Sequence, residues 1–159
     1  MARQAKDLRL YGALSSRAPL AWPWVEQQLI DAGTYWVVAR TPGYPHPRPV
    51  WGIWTEQQLY LSIGSPTLVQ AIRAEPVVTV HLDSGTDVVI VEGLVTPSEP
   101  TPAALIQVYN HKYHWDYDAS LYGALTRVRP SKVLAWRTTG PAGRDSFQTT
   151  GSWIFDDPR

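Results

Sequence analysis

Short runs of β-branched and aromatic residues, punctuated by turn residues, dominate the middle of the chain. Thr34 to Arg40 reads as a strand on this pattern. Thr41-Pro42-Gly43 then turns the chain. His46 to Trp54 forms the next strand, although Pro45, Pro47 and Pro49 cannot donate to a ladder. One edge of that strand is therefore expected to be unpaired, bulged or turned towards a ligand. Leu59 to Ile63 follows after a short polar turn. Val77 to Leu82 and Asp87 to Val95 are strands joined by the hairpin turn Asp83-Ser84-Gly85-Thr86. Lys132 to Thr138 is a further strand, Thr139 to Asp145 a Gly/Pro loop, and Phe147 to Phe155 a last strand.

Helical signals are fewer. Pro23 suits a first helical position, with Trp24, Leu29 and Ile30 on one side and Gly33 as the stop. Ser65-Pro66 opens a helix through about Ala74, which Glu75-Pro76 closes. Thr101 reads as an N-cap before Pro102, with a helix through about Lys112. Residues 111–121 read as a polar, aromatic loop. Residues 1–21 are weakly patterned, a mobile arm or a frayed helix. The remainder, 22–159, reads as a single domain. Strands joined by hairpin turns predict a mainly β protein, an antiparallel barrel with a few helices, and not alternating βαβ units.

Composition narrows the function classes. The chain has 159 residues, no cysteine and a formal net charge of zero. Disulfides, thiolate metal sites and cysteine nucleophiles are thereby removed, and a reducing, cytoplasmic setting fits. Neutral balance offers no footprint for nucleic acid. No apolar run is long enough for a membrane span. Eight Trp and eight Tyr against two Phe suit half-buried places such as cofactor walls and subunit interfaces. They suit an aromatic core equally well.

Few constellations carry chemistry by themselves. His111 and His114, with Asp116 and Asp118, could hold a divalent ion, but they match no metalloprotease spacing and read better as a solvated loop. No metal site is expected. There is no G-x-S-x-G, no P-loop and no G-x-G-x-x-G. Gly64-Ser65-Pro66 at a helix start offers free backbone N–H groups and a helix dipole to an anion, or Ser65 merely caps its own helix. His81 reads as a structural histidine. Tyr60, His46 and Tyr113 are proton donors by residue type only, so the catalytic residues are not assigned.

An ordered set of segments says more. H-P-R-P-V-W (46–51), the S-x-G-S turn (62–65), a helix ending in E-P (75–76), V-T-V-H-L (78–82) and V-V-I-V-E-G (88–93) follow one another without large gaps. Y-N-H-K-Y-H-W-D (109–116) and T-G-S-W-I-F-D (150–156) come later. This order resembles the pyridoxamine 5'-phosphate oxidase-like and deazaflavin-dependent reductase superfamily. The resemblance implies an FMN-binding split β-barrel, a homodimer, and a groove between subunits for FMN or the deazaflavin coenzyme F-420. It implies that Arg48, Pro49, Val50 and Trp51 run along the ring. Ser62, Gly64, Ser65, Thr67 and Leu68 then meet the ribityl chain and phosphate, and Trp153 comes from the partner.

The departures from that family are specific. Its helix commonly opens S-R-K-A-R, where this chain has Pro66-Thr67-Leu68-Val69-Gln70. Its C-terminal T-R-W-R-F becomes Gly151-Ser152-Trp153-Ile154-Phe155. Charge-assisted bonds to phosphate are worth roughly 1.5–3 kcal/mol each, so their loss weakens a phosphorylated cofactor. Arg73, Lys112 or Arg127 are candidates to compensate. Two functions follow. One is a flavin- or deazaflavin-dependent oxidoreductase transferring a hydride to or from a conjugated small molecule. The other is a non-catalytic split-barrel dimer binding an apolar or aromatic ligand in a groove lined by Trp51, Trp54, Trp115 and Trp153.

Overall fold

A computed structural model describes residues 3–6, 18–96, 99–138 and 148–155. The elements run α1 (Trp22–Asp31), β1 (Tyr35–Ala39), β2 (His46–Val50), β3 (Gly52–Thr55), β4 (Gln58–Leu61), α2 (Pro66–Ala74), β5 (Val77–His81) and β6 (Asp87–Val95). They continue with α3 (Ala103–Tyr113), α4 (Ala119–Tyr122), β7 (Thr126–Arg137) and β8 (Gly151–Ile154). All strand pairs are antiparallel, in the order β2-β1-β5-β6-β7-β4-β3, with β8 also on β7.

The two ends of that order, β2 and β3, are neighbours in the sequence with only Trp51 between them. The sheet therefore curls until its end strands meet through the chain itself, a split barrel. β7 makes the split. Thr126–Val128 pair with β4, whereas Lys132–Ala135 pair with β8. Between them the β6–β7 register slips at Glu92/Gly93, a bulge that bends a strand and sharpens its twist. Gly93 is required there, because a Cβ would sit 2.6 Å from the Arg129 carbonyl oxygen.

Alternation explains what fills the barrel. Tyr35, Val37 and Ala39 of β1, Val78 and Val80 of β5, and Val89 and Val91 of β6 all point inward. Trp22, Val25 and Leu29 of α1 pack into the same core. There Trp22 meets Trp54, Trp153 and Phe155 with ring centroids 6.2, 5.7 and 5.4 Å apart. The outer face of β3 and β4 carries a second core. Ile53, Tyr60, Tyr109, Tyr117 and Leu125 meet beneath α3.

Several sequence expectations change. The strand expected over 46–54 is two strands, broken at Trp51. The strand expected from Lys132 begins at Thr126, because pairing with β4 and β6 overrides the polar run Thr126-Arg127-Val128-Arg129. The helix α3 continues to Tyr113 and closes at His114, which takes the left-handed conformation at φ 50°. Most of the expected 111–121 loop is thus helix end or α4. Thr101 does not cap α3; its hydroxyl accepts from the Leu125 N–H at 2.8 Å. The last strand is Gly151–Ile154, and Phe147 lies outside the described residues. Of residues 1–21, Lys6 exchanges backbone hydrogen bonds with Ser152 at 2.7 and 3.0 Å. Among the described residues no helix is long and apolar enough to cross a membrane.

Candidate functional site

The barrel closes at Trp51, and most residues singled out from the sequence gather around that closure. β2 is an end strand, paired on one side with β1. Successive residues of a strand turn their backbone groups to opposite edges. Pro47 and Pro49 share one edge, and a proline facing β1 would interrupt that ladder. They face outward, so the open edge of β2 carries carbonyls and no N–H. Such an edge resists strand addition and offers acceptors to a ligand. One of them, the Pro47 carbonyl, accepts from Arg48 Nη1 at 2.7 Å.

Side chains on β2 alternate the other way. His46, Arg48 and Val50 stand opposite Ala39, Val37 and Tyr35, so they share the face of the sheet that α2 covers. Arg48 is exposed there. His46 Nε2 lies 3.4 Å from Ser65 Oγ, and Ser65 Oγ accepts the Leu68 N–H at 3.4 Å as the cap of α2. The β2 face and the N-terminus of α2 are thus joined by one side-chain contact. The turn Ser62–Ser65 is tied to the same place, since the Ser62 N–H donates to the Trp51 carbonyl at 2.9 Å.

Trp51 itself is 44% exposed and is held by a stack of rings. It lies parallel to Tyr113 with centroids 4.6 Å apart and meets Trp115 edge-on at 6.0 Å. Beneath the stack, Gly52 is an anchor. Its N–H donates to Tyr113 Oη at 2.9 Å, and its carbonyl accepts from Tyr113 Oη at 2.9 Å and Lys112 Nζ at 3.0 Å. Lys112 also donates to Tyr35 Oη at 3.0 Å, and Tyr35 donates to the Leu29 carbonyl at 2.5 Å. A Cβ at Gly52 would fall 2.5 Å from Leu61 Cδ2 and 2.7 Å from the Tyr60 carbonyl oxygen.

Electrostatics in this network follow burial. Desolvation lowers the Lys112 ammonium from 10.5 to about 8, against a small opposing pull from Asp31. The same cause raises Tyr35 strongly and Tyr113 in the same direction, so both stay neutral phenols. Burial also pushes Tyr109 up to about 12, opposed by a hydrogen bond with Ser62. Burial therefore brings the lysine of this network towards neutral pH.

Some expected residues lie elsewhere. Trp153 is 1% exposed and Leu68 is 0% exposed. Both side chains are core, so neither ring nor methyl groups reach the groove; Leu68 offers only its backbone. Trp54 is core as well, with Nε1 donating to Glu26 at 3.2 Å. Thr67 and Gly64 are exposed beside Ser65. None of the three cations considered as replacements stands at the start of α2. Arg73 sits in its last turn, about 10 Å along the helix axis. Lys112 is committed to Tyr35 and Gly52, and Arg127 Nε to Thr96 Oγ1 at 2.7 Å. Lys112 and Tyr113, expected at the end of a helix and in the loop over 111–121 as a compensating cation and a proton donor, are instead supports of Trp51. Their spacing from Tyr109 on one helix is the signal that was available. Among the described residues no three His, Asp or Glu side chains converge on a metal position. Asp118 instead caps α4 through the Ser120 N–H at 2.8 Å.

No protein-family model matches this sequence, and no curated protein does. Solved structures do match it in three dimensions. An FAD-binding protein from Mesorhizobium loti superposes with TM-score 0.55 at 18% identity, over 72% of this chain and 92% of that one. An F420 reductase gives 0.55 at 20% identity, over 67% and 94%. A conserved hypothetical protein from Mycobacterium tuberculosis gives 0.61 at 17% identity, over 82% and 98%. With its end strands joined at Trp51, the chain has a split β-barrel fold, which it shares with these structures.

Proposed function

We propose that this protein binds a flavin-type cofactor, FMN or F-420, across β2 and Trp51, and serves as an oxidoreductase for a conjugated small molecule. The observation that carries the reading is the meeting of three elements at one place. They are an acceptor-only strand edge, a half-exposed Trp51 braced by Tyr113, and the capped N-terminus of α2 beside His46. Similarity of fold to an FAD-binding protein and an F420 reductase supports it. When bound, such a cofactor supplies the hydride chemistry.

The residues present fit the ring of such a molecule better than its phosphate. The Pro47 and Pro49 carbonyls accept from a ring N–H, Trp51 forms a dry wall, and Arg48 is the cation at hand for negative charge on the ring's polar edge. At the phosphate end, Ser65, Thr67 and the free N–H groups of α2 are neutral donors, and the first turn carries no basic side chain. Such an end holds an anion through the helix dipole alone, worth about 0.3–1 kcal/mol at an exposed surface. That same observation favours a second reading, a dimer of barrels that keeps the groove for an aromatic ligand without phosphate. In either case a second copy completes the groove, over a surface where Trp115 is 48% and Leu121 74% exposed.

The test is a fluorescence titration of ligand-stripped protein with FMN and with F-420. Micromolar or tighter binding to either, lost in Arg48→Ala, supports the oxidoreductase. Binding to neither, with a dimeric mass by light scattering, leaves the second reading. A monomeric mass rejects the shared groove.

A further inference from the structure

We propose that the cavity between the start of α3 and the outer faces of β4 and β7 is a separate ligand site, taking a small apolar molecule that bears one carboxylate. The cavity measures about 300 Å³, at the small end of the range for ligand pockets. It shares no lining residue with the groove at Trp51 and does not depend on the cofactor reading.

Its walls are apolar where Leu105 and Leu125 line it. Three residues that carry donors line it as well: Tyr60, Arg127 and Ala104. Tyr60 lines the cavity and is 7% exposed, yet its hydroxyl has no hydrogen-bond partner among the described residues. That hydroxyl is not among the fully buried atoms without a partner, so it is open to solvent on a residue that lines the cavity. A ligand carboxylate in this space would accept from that hydroxyl in place of water.

Arg127 stands directly opposite Tyr60 in the β4–β7 register, which puts both side chains on one face. Its Nε is tied to Thr96 Oγ1 at 2.7 Å, which fixes the plane of the guanidinium and leaves the two Nη groups. The guanidinium has no ion-pair partner among the described residues. The third donor is the start of α3. Pro102 occupies the N-cap without a side-chain cap bond, and Ala104 in the first turn lines the cavity. The first N–H groups of a helix have no partner within it and carry its positive end.

A guanidinium, a phenol and an uncapped helix start suit a carboxylate, which accepts from all three. Among the described lining residues Arg127 is the one cation against two carboxylates, so a ligand carboxylate is favoured only beside its guanidinium. Glu56 and Glu99 both line the same cavity and are exposed, so a second anionic group would meet like charge. Glu56 is fixed there by the β3–β4 turn, with φ of 51°.

Phenylpropionate is the test ligand, titrated by calorimetry against the full chain, with phenylethylamine and phenylsuccinate as partners of matched size. Phenylpropionate should bind with a Kd of about 1 mM or tighter. Phenylethylamine, whose charge is opposite, should bind at least about tenfold more weakly, and phenylsuccinate several-fold more weakly. Arg127→Gln should cost about tenfold or more in phenylpropionate affinity, and Tyr60→Phe roughly three- to tenfold. The pair Glu56→Gln, Glu99→Gln should raise phenylsuccinate affinity, a gain that loss of folding cannot produce. Three results each overturn the proposal. They are no phenylpropionate binding up to about 10 mM, phenylethylamine binding as tightly as the acid, or unchanged binding in a folded Arg127→Gln variant.

Discussion

Lys112 makes the stability of this fold depend on pH in a way that can be worked out beforehand. Its ammonium donates to Tyr35 Oη and the Gly52 carbonyl, and burial lowers it from 10.5 to about 8. A base with a depressed folded-state pKa binds its proton less well in the native state than in the unfolded one. Below pH 8 both states are protonated and its contribution is constant. Between pH 8 and 10.5 the unfolded chain holds more protons, so stability rises with pH. At 1.36 kcal/mol per pH unit the full interval is about 3 kcal/mol. The site is only partly buried, and solvent screening leaves roughly 1–2 kcal/mol of it. Lys112→Met keeps the stem and removes the charge, and Tyr35 and Gly52 retain Leu29 and Tyr113 as partners. Urea unfolding of both proteins from pH 7 to pH 9.5 isolates the effect, because all other titrations cancel in the difference. That range covers about 60% of the interval, so wild type should gain about 1 kcal/mol on the variant across it. The range stops short of pH 10, where the raised Tyr35 and Tyr113 would begin to act in the opposite sense. Parallel stability curves would refute the argument.

Substitutions at five further positions bear on the site and the core. Gly52→Ala forces a methyl group against Leu61 and the Tyr60 carbonyl and should cost about 3 kcal/mol; a loss under about 1 kcal/mol in urea melts would show that β3 can shift. Trp153 Nε1 is buried without a partner among the described residues, so Trp153→Phe removes an unsatisfied donor as well as volume. It should cost under about 1.5 kcal/mol where Trp153→Ala costs about 3–5, and equal losses would mean the N–H is satisfied. Trp51→Ala should lower stability by about 1 kcal/mol, since the stack on Tyr113 is half-exposed, while ligand binding at the groove falls markedly by fluorescence titration. Thr67→Arg should raise FMN affinity about tenfold through one charge-assisted phosphate contact, with no gain counting against α2 as the phosphate end. Leu68→Lys is unsuitable for that purpose, because Leu68 is wholly buried and the variant should fail to fold.

Local signals gave the strand and helix types well. Ser65-Pro66 and Glu75-Pro76 bounded α2 because capping and proline sterics act within a few residues. The hairpin at 83–86 was legible for the same reason. Where tertiary pairing overrode local character the reading failed. Thr126-Arg127-Val128-Arg129 looks polar and irregular, and becomes strand because β4 and β6 flank it. The loop expected over 111–121 overlaps the end of α3, which runs on to Tyr113, where Tyr109 and Tyr113 pack together beneath Trp51.

The candidate sites divide along the same line. The sequence by itself determined that β2 would have an edge without donors, since proline carries no N–H whatever surrounds it. It determined likewise that the start of α2 would lack a basic side chain. Only the tertiary structure decided which side chains meet. Helical rotation takes Leu68 into the core while Thr67, one residue earlier, stays out, and strand alternation hides Trp153 behind Trp22. Closure of the sheet brings Lys112 to Gly52, and β4–β7 pairing brings Arg127 beside Tyr60. Those contacts join residues about 60 positions apart. Their positions are set by register and burial across the whole barrel, and no local pattern carries that information.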